Sequence, residues 1–370
     1  MSVSQFKNQF KKKLTHFYEE HEIQVDIAFF VAGFLFDALM VGEINEPFAI
    51  FQQVAYLLIL AIVLFYEICI EENVVQLSGR LKTPWHYRQP LVHFFMGTLL
   101  NIYSLFFLKS ASFFSSSIFL LLLAGLLIAN ELPRVRSAGV QIKVGFFVVL
   151  IFCFYSMVVP TLMGSVGPLP YAIAVVLTAA VVEFQQRLLI RRGVNRQRLL
   201  SRWLVPSVLV IVLFVVFYVL GWIPPVPISA EYMGVFHKIE KKEDQYLLYH
   251  EKPWWKFWRH GDEDFTAEPG DQIYFFVSVY SPARFSDTLQ LVWSYYEERR
   301  GWKKTDSVPM KIVGGRKTGY RGFAAKGNYA PGSWRVSVQT TDEREIGRLY
   351  FTVEKVETAN LVRSFSVIKR

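Results

Sequence analysis

Two hydrophobic periods divide this chain. Up to residue 223 the apolar residues come in seven long runs, 27–43, 48–67, 91–108, 113–130, 144–163, 171–184 and 203–223. A helix needs about 20 mostly apolar residues to cross hydrocarbon, so this part predicts seven transmembrane helices. Beyond residue 228 the period falls to two. Ile273, Phe275, Val277 and Val279 alternate with Tyr274, Phe276, Ser278 and Tyr280. Leu289, Leu291, Trp293 and Tyr295 follow the same rule, as do Trp334, Val336 and Val338, then Leu349, Phe351 and Val353. Turn formers separate these runs: Pro269-Gly270-Asp271, Ser281-Pro282, Arg300-Gly301, Gly314-Gly315 and Pro331-Gly332. With 231–239 and 246–250 added, seven or eight short strands result. Regular strands between turn signals predict a β-sandwich of immunoglobulin-like type. The fold class is a membrane all-α bundle followed by an all-β sandwich.

Charge gives the runs a direction. The connections hold 16 Lys and Arg on one side, from Lys7 and Lys11–Lys13 through Arg80 and Arg134 to Arg202, and only Lys109 on the other. Such an alternation is the positive-inside pattern. It puts the N-terminus in the cytoplasm, and an odd number of spans then exports everything after residue 223. The expected domains are a cytoplasmic segment 1–26, a bundle 27–223, a proline-rich linker 224–229, a sandwich 230–357 and a C-terminal tail 358–370. Pro224-Pro225-Val226-Pro227 reads as a stiff, extended spacer that lifts the sandwich off the bilayer.

The net charge of +9 is shared between the two parts. In the first it is explained by topology, so it does not imply a nucleic-acid partner. Cys69 and Cys153 are the only cysteines, both in apolar runs. The exported part must therefore hold together by its core alone, which its length allows. No cofactor, metal or nucleophile motif appears. The acidic run Asp262, Glu263 and Asp264 reads as a solvated loop.

A few polar residues interrupt the spans. Glu67, Glu131 and Glu183 end even-numbered runs on the basic side, and the expected partners are Arg80, Arg134 and Arg187. Asp37 and Asn101 both fall near the bilayer midplane, counting 1.5 Å per helical residue, so they are placed to hydrogen-bond. Intramembrane ionisable groups are functional candidates; fixing helix packing is the plainer role. His93, nearer the basic end, reads as an interface residue.

In the exported part, Leu291-Val292-Trp293, Val313-Gly314-Gly315-Arg316, Thr318 to Gly322, Gly332-Ser333-Trp334-Arg335-Val336, Ile346 to Arg348 and Phe351 to Val353 form a set of motifs. Together they resemble a bacterial family known as domain of unknown function 2914, over roughly residues 230–355. The resemblance implies an exported or membrane-anchored domain, and through it a bacterial inner-membrane protein with a periplasmic C-terminal part. It implies no activity, cofactor or catalytic residue.

One segment departs from strand chemistry. Residues 251–260 pack Trp254, Trp255, Phe257 and Trp258 among Lys252, Lys256 and Arg259. Indoles mixed with cations suit a surface that docks on a bilayer, a glycan or a peptide. The competing reading folds the indoles under the sandwich as satellite core. The basic group from Arg299 to Arg321 reads as a solvated hairpin face. The function expected is a non-catalytic binding module on a membrane base, with the lipid bilayer and an unknown periplasmic protein, glycan or lipid as partners. The alternative is a small transporter or intramembrane enzyme using Asp37 and Asn101.

Overall fold

The computed structural model of the chain describes residues 47–76, 79–136, 138–243, 245–282, 285–314, 319–356 and 363–370. The first apolar run and Asp37 lie outside the described residues. Among the described residues, six helices are long and apolar enough to cross a membrane. They are α1 Pro47–Glu71, α2 Arg88–Ser110, α3 Phe113–Glu131, α4 Val140–Met163, α5 Pro168–Arg191 and α6 Arg196–Val219. Only Ala111 and Ser112 separate α2 from α3. The α4–α5 connection is nearly as short. Gly164 closes α4 in the left-handed conformation (φ 69°), donating to Pro160 O at 2.8 Å, and Pro168 opens α5 at a position that needs no N–H.

Helix α4 is the centre of the bundle. Val144, Phe147, Leu150, Phe152 and Cys153 are fully buried or nearly so, whereas Leu121 of α3 and Val219 of α6 face outward. A π-helical turn at Leu200–Leu204 in α6 carries Trp203 inward, where its indole N–H donates to Val182 O at 3.1 Å. The acids at the basic end find partners. Glu183 pairs with Arg187 at 2.6 Å. Glu67 takes Lys143 at the start of α4, at 2.6 Å with both side chains nearly fully buried, and Arg88 at 3.6 Å. The side chain of Arg80 lies outside the described residues; α4 itself brings an ammonium into the buried position beside Glu67. Arg198 and Arg202 hold Glu72, and Arg202 also holds Glu71.

Among the described residues, eleven strands follow: β1 Ser229–Phe236, β2 Lys238–Lys242, β3 Gln245–His250, β4 Asp264–Ala267, β5 Ile273–Tyr280, β6 Ser286–Glu297, β7 Gly301–Val313, β8 Tyr320–Lys326, β9 Gly332–Thr340, β10 Glu345–Lys355 and β11 Ser366–Lys369. They form three sheets, ordered β1-β5-β8, β4-β10-β9-β6-β7 and β11-β3-β2. The first two enclose the main core of Phe275, Val277, Leu291, Trp293, Val336, Phe351 and their neighbours. The third sheet covers the other face of the first through Tyr232, Phe236, Leu248 and Phe276. Both sets of alternating residues in β5 are therefore covered, which the period of two alone does not reveal. Two further features depart from an all-antiparallel two-sheet sandwich. Strand β4 pairs with β10 in parallel, and residues 366–369, read from sequence as tail, form β11 on β3.

The prolines do not lift the sheets off the bundle. Ile223 through Ile228 are all buried, and they turn tightly, with Val226 N bonding Pro224 O and Ile228 N bonding Pro225 O. The sheets rest directly on the bundle at three connections. Ser112 between α2 and α3 donates to Glu345. After α4, Val166 N donates to Asp287 at 3.0 Å and Gly164 O accepts Ser286 N at 2.9 Å. Past α6, the guanidinium of Arg344 donates to Tyr218 O at 2.7 Å and Ile223 O at 3.1 Å. It also holds Asp342 at 2.9 Å and lies 3.3 Å from the centre of the Tyr218 ring, which stacks on Tyr171 at 3.6 Å. A stiff run failed as a spacer because its apolar rings gain more by burial than by solvation.

Candidate functional site

The aromatic segment lies between β3 and β4. Its base is set by Asp262, which is nearly fully buried and whose two oxygens both accept Glu251 N at 3.0 Å. Next to it Gly261 bridges to Val235 of β1 at φ 95°, where an added Cβ would meet Val235 O at 2.2 Å. Only glycine fits so close an approach at positive φ. Asp262 N then donates to Val235 O at 2.7 Å, and the loop is pinned to the sheet.

Inside the loop, Lys252 Nζ donates to Lys256 O at 3.0 Å and Arg259 O at 2.7 Å. Two tight turns follow, with Lys256 N bonding Pro253 O and Arg259 N bonding Lys256 O, each at 3.1 Å. Lys256 pairs with Asp264 at 3.1 Å; Arg259 pairs with Asp264 and, at 3.4 Å, with Glu263. The acids 262–264 are thus the frame of the loop and not a solvated run. The cations lean on their own chain, where the sequence suggested that they flank a docking surface.

The rings point the other way. Trp254 is 90% exposed, Phe257 79%, Trp258 58% and Trp255 52%. Trp258 sits edge-on to both Trp255 (6.1 Å) and Phe257 (5.1 Å), and Lys256 lies 5.4 Å over Trp255. Behind the loop is a cleft of about 190 Å³ lined by Glu251, Lys252, Lys256, Arg259, Asp262 and Asp264, among others.

Beneath it lies a charged cluster that the sequence did not suggest. His237, stacked on Phe265 at 4.1 Å, has Nε2 at 3.4 Å from Glu251 and 3.6 Å from Asp262. Arg363 NH1 faces His237 Nδ1 at 3.4 Å, pairs with Asp271 at 2.8 Å and Glu268 at 3.4 Å, and donates to Thr266 O. A guanidinium only donates, so His237 carries its proton on Nε2, toward the carboxylates. Burial pulls the His237 pKa down to about 4, with the Arg363 charge adding to it. Burial pushes Asp262 up to about 7 against the pull of its backbone donors. Glu251 is raised by burial as well, while Arg259 holds Asp264 below the usual carboxylate range. No local signal could have joined these groups: His237 and Arg363 lie 126 positions apart.

The intramembrane candidates are scattered. His93 is buried in α2, and its Nδ1–H donates to Asn130 Oδ1 at 3.0 Å, while Asn130 Nδ2 donates back to His93 O at 3.0 Å. The pair ties α2 to α3, so His93 is a helix-packing residue and not one at the lipid interface. Asn101 is part-buried in α2; its pairing with Asp37 falls outside the described residues. No group of three or more His, Cys, Asp or Glu among the described residues is arranged to hold a metal ion.

Among solved structures, the chain is similar to a β-glucosidase from Listeria innocua, at 9% identity and a TM-score of 0.20, over 37% of this chain and 18% of that one. It is also similar to an immunoglobulin-like protein from Pseudomonas aeruginosa, at 13% identity and a TM-score of 0.19, over 32% of this chain and 96% of that one. The chain spans under a fifth of the glucosidase's length. No curated protein matches it. The family model described as a protein of unknown function, DUF2914, matches residues 286–353. That stretch runs from β6 into β10 and leaves out the aromatic loop, so the sequence resemblance holds for this C-terminal region.

Proposed function

We propose that this chain is a non-catalytic binding protein: a bacterial inner-membrane bundle that presents the sheet domain to the periplasm, where the rings of residues 254–258 hold a glycan. The orientation rests on the asymmetry of Lys and Arg between the connections. The binding surface rests on one observation, four exposed aromatic rings on a loop whose backbone is braced from within. Contiguous exposed apolar surface on a fixed frame marks an interaction site, and rigid tryptophans lose little entropy on contact.

Charge narrows the ligand. Lys256 and Arg259 are already paired with Asp264 and Glu263, so attraction to an anionic surface is not what this loop offers. It offers ring faces beside a cleft of hydrogen-bonding groups. Sugars match both, with C–H faces for the indoles and hydroxyls for the charged lining. The test uses the full chain in detergent with soluble chito-oligosaccharides, followed by calorimetry. Binding is expected to be saturable and nearly independent of salt, because no unpaired charge drives it. Trp254→Ser, Trp255→Ser and Trp258→Ser together should weaken it at least tenfold, roughly 1.4 kcal/mol or more, with the unfolding midpoint unchanged. A triple variant that unfolds, or one that binds as the parent does, removes the loop as the binding surface.

A further inference from the structure

The outward face of the five-stranded sheet is not an ordinary polar face. It carries a line of rings that begins on the outer surface of the helical bundle. Phe114 in the first turn of α3 is 62% exposed and meets Tyr350 of β10 at 5.4 Å. Tyr350 meets Trp302 of β7 at 5.4 Å, and Trp302 meets Tyr296 of β6 at 5.2 Å. In the sheet order β10-β9-β6-β7, β7 and β10 stand about 14 Å apart at the usual strand spacing. Trp302 and Tyr350 therefore lean toward each other across β9 and β6 and roof that face. Cations accompany them. Arg335 of β9 lies 4.8 Å over Trp302; its Nε is buried beneath the rings without a hydrogen-bond partner, and the side chain as a whole is part-exposed. Arg348 lies 5.2 Å over Phe114. The β6–β7 turn at the far end of the line presents exposed Arg299 and Arg300.

We infer that this face lies on the bilayer that the bundle spans, with Tyr350, Trp302 and Tyr296 at headgroup depth and Arg335, Arg299 and Arg300 on the phosphates of anionic phospholipids. The inference rests on the reading that α1–α6 cross a membrane. Continuity with α3 selects the occupant. Phe114 belongs to an apolar helix long enough to span, in its first turn, where hydrocarbon gives way to headgroups. Each interfacial layer is only about 5–7 Å deep, the length of one ring-to-ring step here. Indoles and phenols prefer that layer, and arginines beside them add attraction to anionic lipid. Such a contact fixes the tilt of the sheet domain on the membrane and leaves the aromatic loop, on another edge of the domain, free for its ligand.

The test places nitroxide labels on the full chain in nanodiscs, in a background with Cys69→Ala and Cys153→Ala. One label replaces Tyr296 and a second replaces Leu121, which faces outward in the middle of α3. Relative accessibility to oxygen and to a water-soluble nickel chelate reports depth. In phosphatidylglycerol discs the label at 296 is expected to read between the label at 121 and free nitroxide in water. It should shift toward water in phosphatidylcholine discs and in the Arg335→Gln, Arg300→Gln variant. A label at 296 that reads as free in water while the label at 121 reads hydrocarbon overturns the inference. If the label at 121 also reads water, the spanning reading has failed and the inference falls with it.

Discussion

The same three ingredients, an arginine, an acid and aromatic rings, build two unlike regions of this protein. At the junction between bundle and sheets, Arg344 sits with Asp342, Tyr218 and Tyr171, and its side chain is only 9% exposed. In the loop after β3, Arg259 shares Asp264 with Lys256, which lies over Trp255, and the rings are turned out to solvent. What differs is where the donors end. Arg344 donates to two backbone carbonyls of the bundle, so the charge is used to join two parts of one chain. In the loop, both cations end on the loop's own acids, which holds the loop in shape and leaves its rings uncommitted. Whether such a cluster joins two parts of the chain or leaves its rings exposed thus depends on where its donors end.

The largest effect should come from the junction. Arg344→Ala strips the guanidinium from Asp342, Tyr218 O and Ile223 O, leaving Asp342 only the hydroxyls of Tyr218 and Thr340, and removing one partner of a buried pair typically costs about 3–5 kcal/mol. Thermal unfolding of the full chain in detergent should fall accordingly, with new proteolytic cleavage near residues 223–228. Lysine at 344 should recover only part of the loss, since an ammonium cannot reach both carbonyls and Asp342 in the fixed geometry of a guanidinium. If Arg344→Ala unfolds like the parent, the junction is no tighter than the loop and the contrast is lost.

A smaller effect tests the base of the loop through pH. The folded pKa of Asp262, about 7, lies above the value near 3.9 of an unfolded chain. Its stabilising contribution is therefore present at pH 4 and is lost as pH rises toward and past 7. His237 works in the opposite direction. Its folded pKa of about 4 lies below the usual 6.5, so its contribution grows as pH rises from 4 to 6.5. In the parent the two slopes oppose each other. Asp262→Asn removes the falling slope alone, so the stability of the variant relative to the parent should climb between pH 4 and 7, by about 2–4 kcal/mol. Denaturant midpoints at several pH values measure it. A constant difference between the two proteins would mean that Asp262 titrates as an exposed acid and that the loop is not anchored there.

The smallest effect is expected at the rim of the loop. Lys256 pairs with an Asp264 side chain that is 57% exposed, and Arg259 still holds that acid when Lys256 is gone. Lys256→Ala should cost under about 1 kcal/mol, the usual range for an exposed pair. A larger loss would show that the rim is held by charge as the junction is, and the comparison would narrow to the exposure of the rings alone.

Much of this architecture is legible in the sequence, because hydrophobic periodicity is local. Long apolar runs can satisfy their backbone only as helices in lipid, and alternation in 273–280 or 289–295 can bury one face only as a strand. The six described spans, the β-rich C-terminal part and the density of indoles at 254–258 all follow from such patterns. Periodicity says which side of an element is apolar, but not what covers it. The third sheet on β5, the strand formed by 366–369 and the burial of Pro224–Pro227 were decided only by packing. Charge pairing is likewise a matter of tertiary supply. Glu67 takes Lys143, 76 positions away, and the loop base meets His237 and Arg363 from opposite ends of the domain. Exposure is decided the same way. The sequence places the tryptophans together; only the structure shows them turned outward, on a loop whose end is pinned to β1 through Gly261 and Asp262.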